Sequence, residues 1–203
     1  LTMSMWHGRY AVATIRPPRV TASPALRVLY LSQQQRCANS GPVFCSMVDV
    51  LLIQPPIRDF YLTTKRTIPY GLACIASALI QDGFSVAILD ALATHRSQPL
   101  EFPEQMATLK DYYGKSDISP FALFHRFKHF GTGFGAIGEA AQRSGPFLVG
   151  ISSLFTAYSA EAITTAEVVK YHHPGCHVVL GGHHPTAMPE SVSVKWKYLK
   201  IAN

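Results

Sequence analysis

The sequence predicts an α/β domain over about residues 47–190, a doubly wound parallel sheet with helices on both faces. Three observations point there. Short apolar, β-branched runs alternate with stretches whose apolar residues recur every three or four positions. The connections between runs are long enough for helical crossovers, which parallel strands require. The runs also stop at proline, hydroxyl or glycine clusters, the punctuation of strand ends. With 203 residues and 48% apolar content the chain can bury one sizeable core.

The first run, Val48 to Gln54, stops at Pro55-Pro56, which cannot continue a central ladder. Pro69 and Gly71 then introduce a helix with Leu72, Ile75, Ala76, Leu79 and Ile80 on one face, ending at Asp82-Gly83. Ser85 to Asp90 is a second strand. Residues 91–145 read as an insertion with an aromatic cluster (Phe121, Phe124, Phe127, Phe130), followed by a helix around Ile137 to Ala141. The glycines at 131, 133, 135 and 138 resemble a dinucleotide loop. Such a loop must follow a strand directly, and aromatic and basic residues precede it here, so a flexible loop is the expectation. Phe147 to Ser152 is a third strand, Ala160 to Tyr171 a helix, and His177 to Leu180 a fourth strand.

The charge of +6 sits at the front of the chain. Residues 1–46 hold Arg9, Arg16, Arg19, Arg27 and Arg36 and no acid, which leaves 13 bases against 12 acids in the remainder. A nearly neutral domain has no electrostatic footprint for a phosphate backbone, so no nucleic-acid partner is expected. The leader has the Arg-rich, acid-free character of a transit peptide, but Pro17, Pro18 and Pro24 interrupt it. Because the chain starts at Leu1, and Met47 stands immediately before the first strand, residues 1–46 read as disordered or non-native and residues 191–203 as a truncated tail. No run approaches the roughly 18 apolar residues of a membrane span, so no membrane partner is expected. Cys37, Cys45, Cys74 and Cys176 lack metal-ligand spacing and fit a reducing, cytoplasmic compartment.

Ligands of open α/β sheets sit at the carboxyl ends of the strands. There the sequence places Pro55, Asp90, the turn Ser152-Ser153-Leu154-Phe155-Thr156, and Gly181-Gly182-His183-His184-Pro185-Thr186. Hydroxyls can bond a phosphate or ribose, and a Gly-Gly pair lets a bulky ligand approach the backbone. The plainer alternative is that Ser152 and Thr156 cap the next helix and the glycines form a tight turn.

The arrangement of Ser152-x-Leu154 and, after 26 intervening residues, Gly181-Gly182 is similar to the paired elements of cobalamin-binding domains of the methionine synthase type. Further matches are Pro55-Pro56, Pro69-Tyr70-Gly71-Leu72, Ala76-Ser77-Ala78-Leu79, Val149 to Ser152, Phe155-Thr156, Gly181 to Thr186 and Pro189-Glu190. On these residues the chain resembles the amino-terminal cobalamin-binding half of cobalamin-dependent radical SAM proteins. The resemblance implies a flavodoxin-like (Rossmann-like) fold, with cobalamin bound by Ser152, Ser153, Leu154, Thr156, Gly181, Gly182, His184, Pro185, Thr186, Pro55, Gly71 and Asp90. The Asp-x-His-x-x-Gly of the methionine synthase type, whose histidine ligates cobalt, is replaced here by Pro55 to Tyr61; radical SAM proteins with such a domain commonly lack that histidine, and the resemblance implies a base-off, histidine-off cofactor. In a full-length protein it further implies a radical SAM domain, in cis or in trans, with a 4Fe-4S cluster and S-adenosylmethionine. The Cys-x-x-x-Cys-x-x-Cys of that half is absent from this sequence, and no residue here is assigned a catalytic or metal-ligating role.

His172-His173 suit a helix carboxyl terminus, His183 should face solvent, and His184 should bond the cofactor or order the turn. Two other readings compete. A receiver or flavin-binding module would need acids or a phosphate loop where Pro55-Pro56 stand, and a free-standing corrinoid carrier usually has the missing histidine.

Overall fold

The computed structural model describes residues 29–30, 47–61, 68–111 and 126–195. In chain order its elements are β1 (Leu29–Tyr30), β2 (Val50–Gln54), β3 (Ile57–Asp59), α1 (Tyr70–Gln81), β4 (Val86–Asp90), β5 (Ser97–Pro99), β6 (Lys128–Phe130), α2 (Phe134–Ser144), β7 (Leu148–Ser152), α3 (Ser159–His172), β8 (His177–Gly181), α4 (His183–Ala187) and α5 (Pro189–Lys195). Short 3-10 turns cover Glu104–Leu109 and Thr156–Tyr158.

Four strands form the parallel sheet in the order β4-β2-β7-β8, and β1 adds a two-residue parallel pairing outside β4. The sheet therefore takes one short edge strand from the leading 46 residues instead of starting at Val48. Alternation along each strand divides the core into two layers. Leu51, Ile53, Val149 and Ile151 pack against Ile137, Ala140 and Ala141 of α2 and Ala162, Ala166 and Val169 of α3. Val50, Leu52, Val86 and Ile88 pack against Leu72 and Ala76 of α1. Helices on both faces bury the central strands twice over, which is why β2 reads as a continuous apolar run. The fold is thus the α/β parallel sheet with flanking helices that the alternation predicts, and the flavodoxin-like class holds.

The insertion differs from its expectation. Ile57–Asp59, Ser97–Pro99 and Lys128–Phe130 form a second, antiparallel sheet in the order β3-β6-β5. Its strands are three residues long, too short for a period, and their partners lie far away in sequence. Phe130 is buried with Ile57 and Leu92, and Phe127 lies 5.0 Å from Phe60, while Phe121 and Phe124 fall outside the described residues. A strand does precede the glycine run, contrary to expectation, and α2 follows it directly. Packing explains the last of these glycines. A Cβ on Gly138 would come within 2.3 Å of His172 Cδ2 and 2.7 Å of Val168 Cγ1, so glycine there lets α2 and α3 approach closely. Past the glycine turn after β8 the chain forms α4 and then α5, which carries the buried Val192 beyond Glu190.

Two glycines of α2 should therefore respond in opposite ways. Gly135 is exposed with open space where a Cβ would stand, so Gly135→Ala should stabilise the domain by about 0.5 kcal/mol. Gly138→Ala should instead cost about 1–3 kcal/mol through overpacking. Thermal melts of the two variants check this, and equal shifts would show that α2 and α3 do not pack this closely.

Candidate functional site

The chain runs from β2 to β4 on one side of the sheet and from β7 to β8 on the other, so the strand order reverses between β2 and β7. The crevice outside the carboxyl ends of such a pair is where open α/β sheets hold ligands. Pro55, buried, ends β2 there, and Ser152 ends β7 opposite Gly181 of β8.

The loops after β7 and β8 are fastened to one another by backbone hydrogen bonds. Ser153 N–H donates to Gly181 O at 2.7 Å, and His184 N–H donates to Ser153 O at 3.2 Å. Gly182 makes this possible. Its φ is +124°, and a Cβ there would stand 2.6 Å from Ser153 O, so both its left-handed backbone and the contact require glycine. The capping alternative fails, because neither the Thr156–Tyr158 turn nor α3 has a side-chain cap.

Within this fastened pair two buried polar atoms have no partner: Ser153 Oγ, on a residue 4% exposed, and His184 Nδ1, on a residue 3% exposed. The Ser191 hydroxyl donates to Met188 O at 2.8 Å, so at 3.1 Å it accepts from His184 Nε2. That places the imidazole proton on Nε2 and leaves Nδ1 a bare acceptor. His184 thus orders the turn from within α4, whereas His183 is exposed as expected. A buried polar atom left without a partner costs about 1–3 kcal/mol, so a ligand group or a water that bonds either atom relieves a cost of the fold.

Beside these atoms the sheet is open. Alternation puts Gly150, Ser152, Val179 and Gly181 on the face that α1 covers farther along, but Val179 is 53% exposed and a Cβ on Gly181 would meet nothing within 4 Å. A strip of small residues thus runs to the carboxyl edge.

Not every residue singled out in the sequence joins this place. Asp90, two strands away, accepts the Leu92 N–H at 2.9 Å through its own carboxylate and serves its turn; burial raises its pKa. Gly71 is exposed in the first turn of α1 with open space around it. Leu154, Phe155, Thr156 and Thr186 are exposed, and Pro185 is partly buried in α4. Among the described residues no three His, Cys, Asp or Glu side chains group as a metal site, and no helix is long and apolar enough to cross a membrane.

A polar cluster in the crevice was not legible in the sequence. Asp59 of β3 accepts the Tyr158 hydroxyl, and its other oxygen accepts the Phe60 N–H at 2.6 Å. Burial and the Asp59 bond push the Tyr158 phenol upward. Arg58 stacks over Phe134 at 5.2 Å, with its Nε 3.9 Å from Glu161 Oε1. Burial raises the Glu161 carboxyl above its ordinary 4.5. The antiparallel register sets His129 opposite Arg58, and burial, then the Arg58 charge, lower the imidazole pKa, while His129 Nε2 lies 3.3 Å from Thr132 O. The pairing of β3 with β6 and the contacts of β3 with Tyr158 and Glu161 join residues distant in sequence.

In comparisons with known proteins, the model of the B12 binding domain family matches residues 135–196, a span that contains β7, β8 and both fastened loops. That match supports a cobalamin-binding domain. No curated protein and no solved structure matches the chain.

Glu161 yields a prediction with a definite sign. A carboxyl whose folded pKa is raised contributes stability that is full below the ordinary value and lost as pH rises through the folded value. Glu161→Gln should therefore raise the melting temperature near neutral pH, and the gain should shrink on acidification. A lower melting temperature at neutral pH would show that the Arg58 contact outweighs burial.

Proposed function

We propose that this chain binds cobalamin with the nucleotide tail in the strip between Ser152 and Gly181, and that it presents the corrin to a radical SAM domain in cis or in trans. The observation that carries the reading is the pair of unpartnered buried atoms in the fastened loops. The tail of cobalamin contains a phosphate, which accepts, and ribose hydroxyls, which donate. Ser153 Oγ can donate to the first and His184 Nδ1 can accept from the second. Gly181, with nothing within 4 Å of where a Cβ would stand, and the half-exposed Val179 beside it leave room for a flat base against the sheet. The family match across this region supports the cofactor, and the motifs shared with radical SAM proteins support the partner. Bound cobalamin would supply one-carbon transfer chemistry at cobalt. The residues of this chain bind, orient and shield it; the 4Fe-4S cluster and S-adenosylmethionine belong to the partner domain.

The two glycines separate binding from folding. Gly181 has ordinary strand geometry and open space, so Gly181→Val should leave the melting temperature nearly unchanged while filling the strip and lowering cobalamin affinity at least about tenfold. Gly182→Val should instead destabilise the domain by about 2 kcal/mol or more, from the positive φ and the Ser153 O contact. Undiminished binding by the Gly181 variant would place the tail elsewhere.

The cofactor should be base-off and histidine-off. With the base drawn into the strip, no imidazole comes from residues 55–61, and the buried His129 and His184 each hold Nε2 against a partner. Hydroxocobalamin mixed with the protein should give the base-off absorption spectrum. After one-electron reduction, paramagnetic resonance should lack nitrogen splitting from an axial ligand. A nitrogen triplet that vanishes in His129→Ala or His184→Ala would overturn the histidine-off assignment.

A further inference from the structure

In the crevice between the loops after β2 and β7, Arg58 and Glu161 are poorly matched to each other. Their 3.9 Å separation is too long for a hydrogen bond, and both Arg58 Nε and Glu161 Oε2 are buried without a partner. Neighbouring groups do not supply one. The Asp59 carboxylate is taken by the Tyr158 hydroxyl and the Phe60 N–H, and His129 Nε2 lies against Thr132 O. The pair thus presents an unused N–H donor beside an unused carboxylate acceptor. The Arg58 side chain is 38% exposed, so a turn of its guanidinium admits a ligand group.

The group that satisfies a donor and an acceptor side by side is a primary carboxamide, whose carbonyl accepts from Arg58 Nε and whose NH2 donates to Glu161 Oε2. A carboxylate satisfies the arginine but meets Glu161 with like charge. Corrin rings of cobalamins carry primary carboxamides around their rim, and the pair sits at the same sheet edge as the fastened loops, with Tyr158 packed on Phe155 at 6.2 Å. We propose that Arg58 and Glu161 form a carboxamide-recognition pair that grips one peripheral amide of the corrin and selects against its acid form. This rests on the cobalamin reading above. The competing role is a clasp holding β3 to α3, with no ligand.

The experiment titrates the full 203-residue chain, at about pH 9 so that the carboxyl is ionised, with cyanocobalamin and separately with each monocarboxylic acid made by hydrolysing one peripheral amide. One isomer should bind about tenfold more weakly than cyanocobalamin. In Glu161→Gln, whose amide can donate to a carboxylate, that discrimination should fall to about twofold or less, the other isomers keeping their ratios. Glu161→Ala, which removes the carboxylate, should erase it too and serves if the glutamine variant does not fold. A clasp would alter stability and leave the ratios alone. The same discrimination with and without the Glu161 carboxylate, or no discriminated isomer in the unsubstituted chain, overturns the recognition pair while cobalamin binding stands. No binding of cyanocobalamin by the unsubstituted chain overturns both.

Discussion

The pairing of β2 with β7 is the constraint on which the rest of the molecule depends. It joins Val50 to Leu148 and Ile53 to Ile151, across nearly half the chain; β2 is buried between helical layers, and β7 buries Val149 and Ile151 against α2 and α3. Closing so long a loop is entropically costly, and burial of residues such as Leu51, Ile53, Val149 and Ile151, each worth about 1.5–3 kcal/mol, offsets it. Because β2 then proceeds to β4 on one side and β7 to β8 on the other, this pairing also creates the crevice at the carboxyl edge. The core and the candidate site therefore share one cause.

Polar groups without partners follow the same geometry. Among the described residues the four buried side-chain atoms that lack one are Arg58 Nε, Ser153 Oγ, Glu161 Oε2 and His184 Nδ1, and all belong to segments at the carboxyl edge. Deeper in the core, buried hydroxyls are satisfied locally. Ser144 donates to Ala140 O and Thr165 to Glu161 O, one turn back along their own helices. The contrast matters because an unpartnered buried group is a local cost, and such costs concentrate where a ligand can relieve them. In the binding mode proposed above, the fastened loops with their open strip take the flat, phosphate-bearing tail and the Arg58–Glu161 pair takes an amide.

Local pattern determined the main elements. The β-branched runs, the three-and-four spacing on α1 and α3, and the Gly181-Gly182 turn all act through neighbours close in the chain, so the sequence alone yields the parallel α/β class, the strand ends and the Ser152 and Gly181 segments. It also marked Gly182 as a turn glycine and His184 as a residue that bonds the cofactor or orders the turn; the folded chain adds the 2.6 Å approach of Gly182 to Ser153 O and the hold of Ser191 on His184. Tertiary structure decided what depends on contacts distant in sequence. The antiparallel sheet of β3, β6 and β5, the meeting of His129 with Arg58, and that of Asp59 with Tyr158 leave no periodic trace, because three-residue strands are specified by their partners and not by their own sequence. The unpartnered state of Ser153 and Glu161 is likewise invisible in one dimension, since satisfaction of a hydrogen bond depends on which groups the folded chain brings within reach.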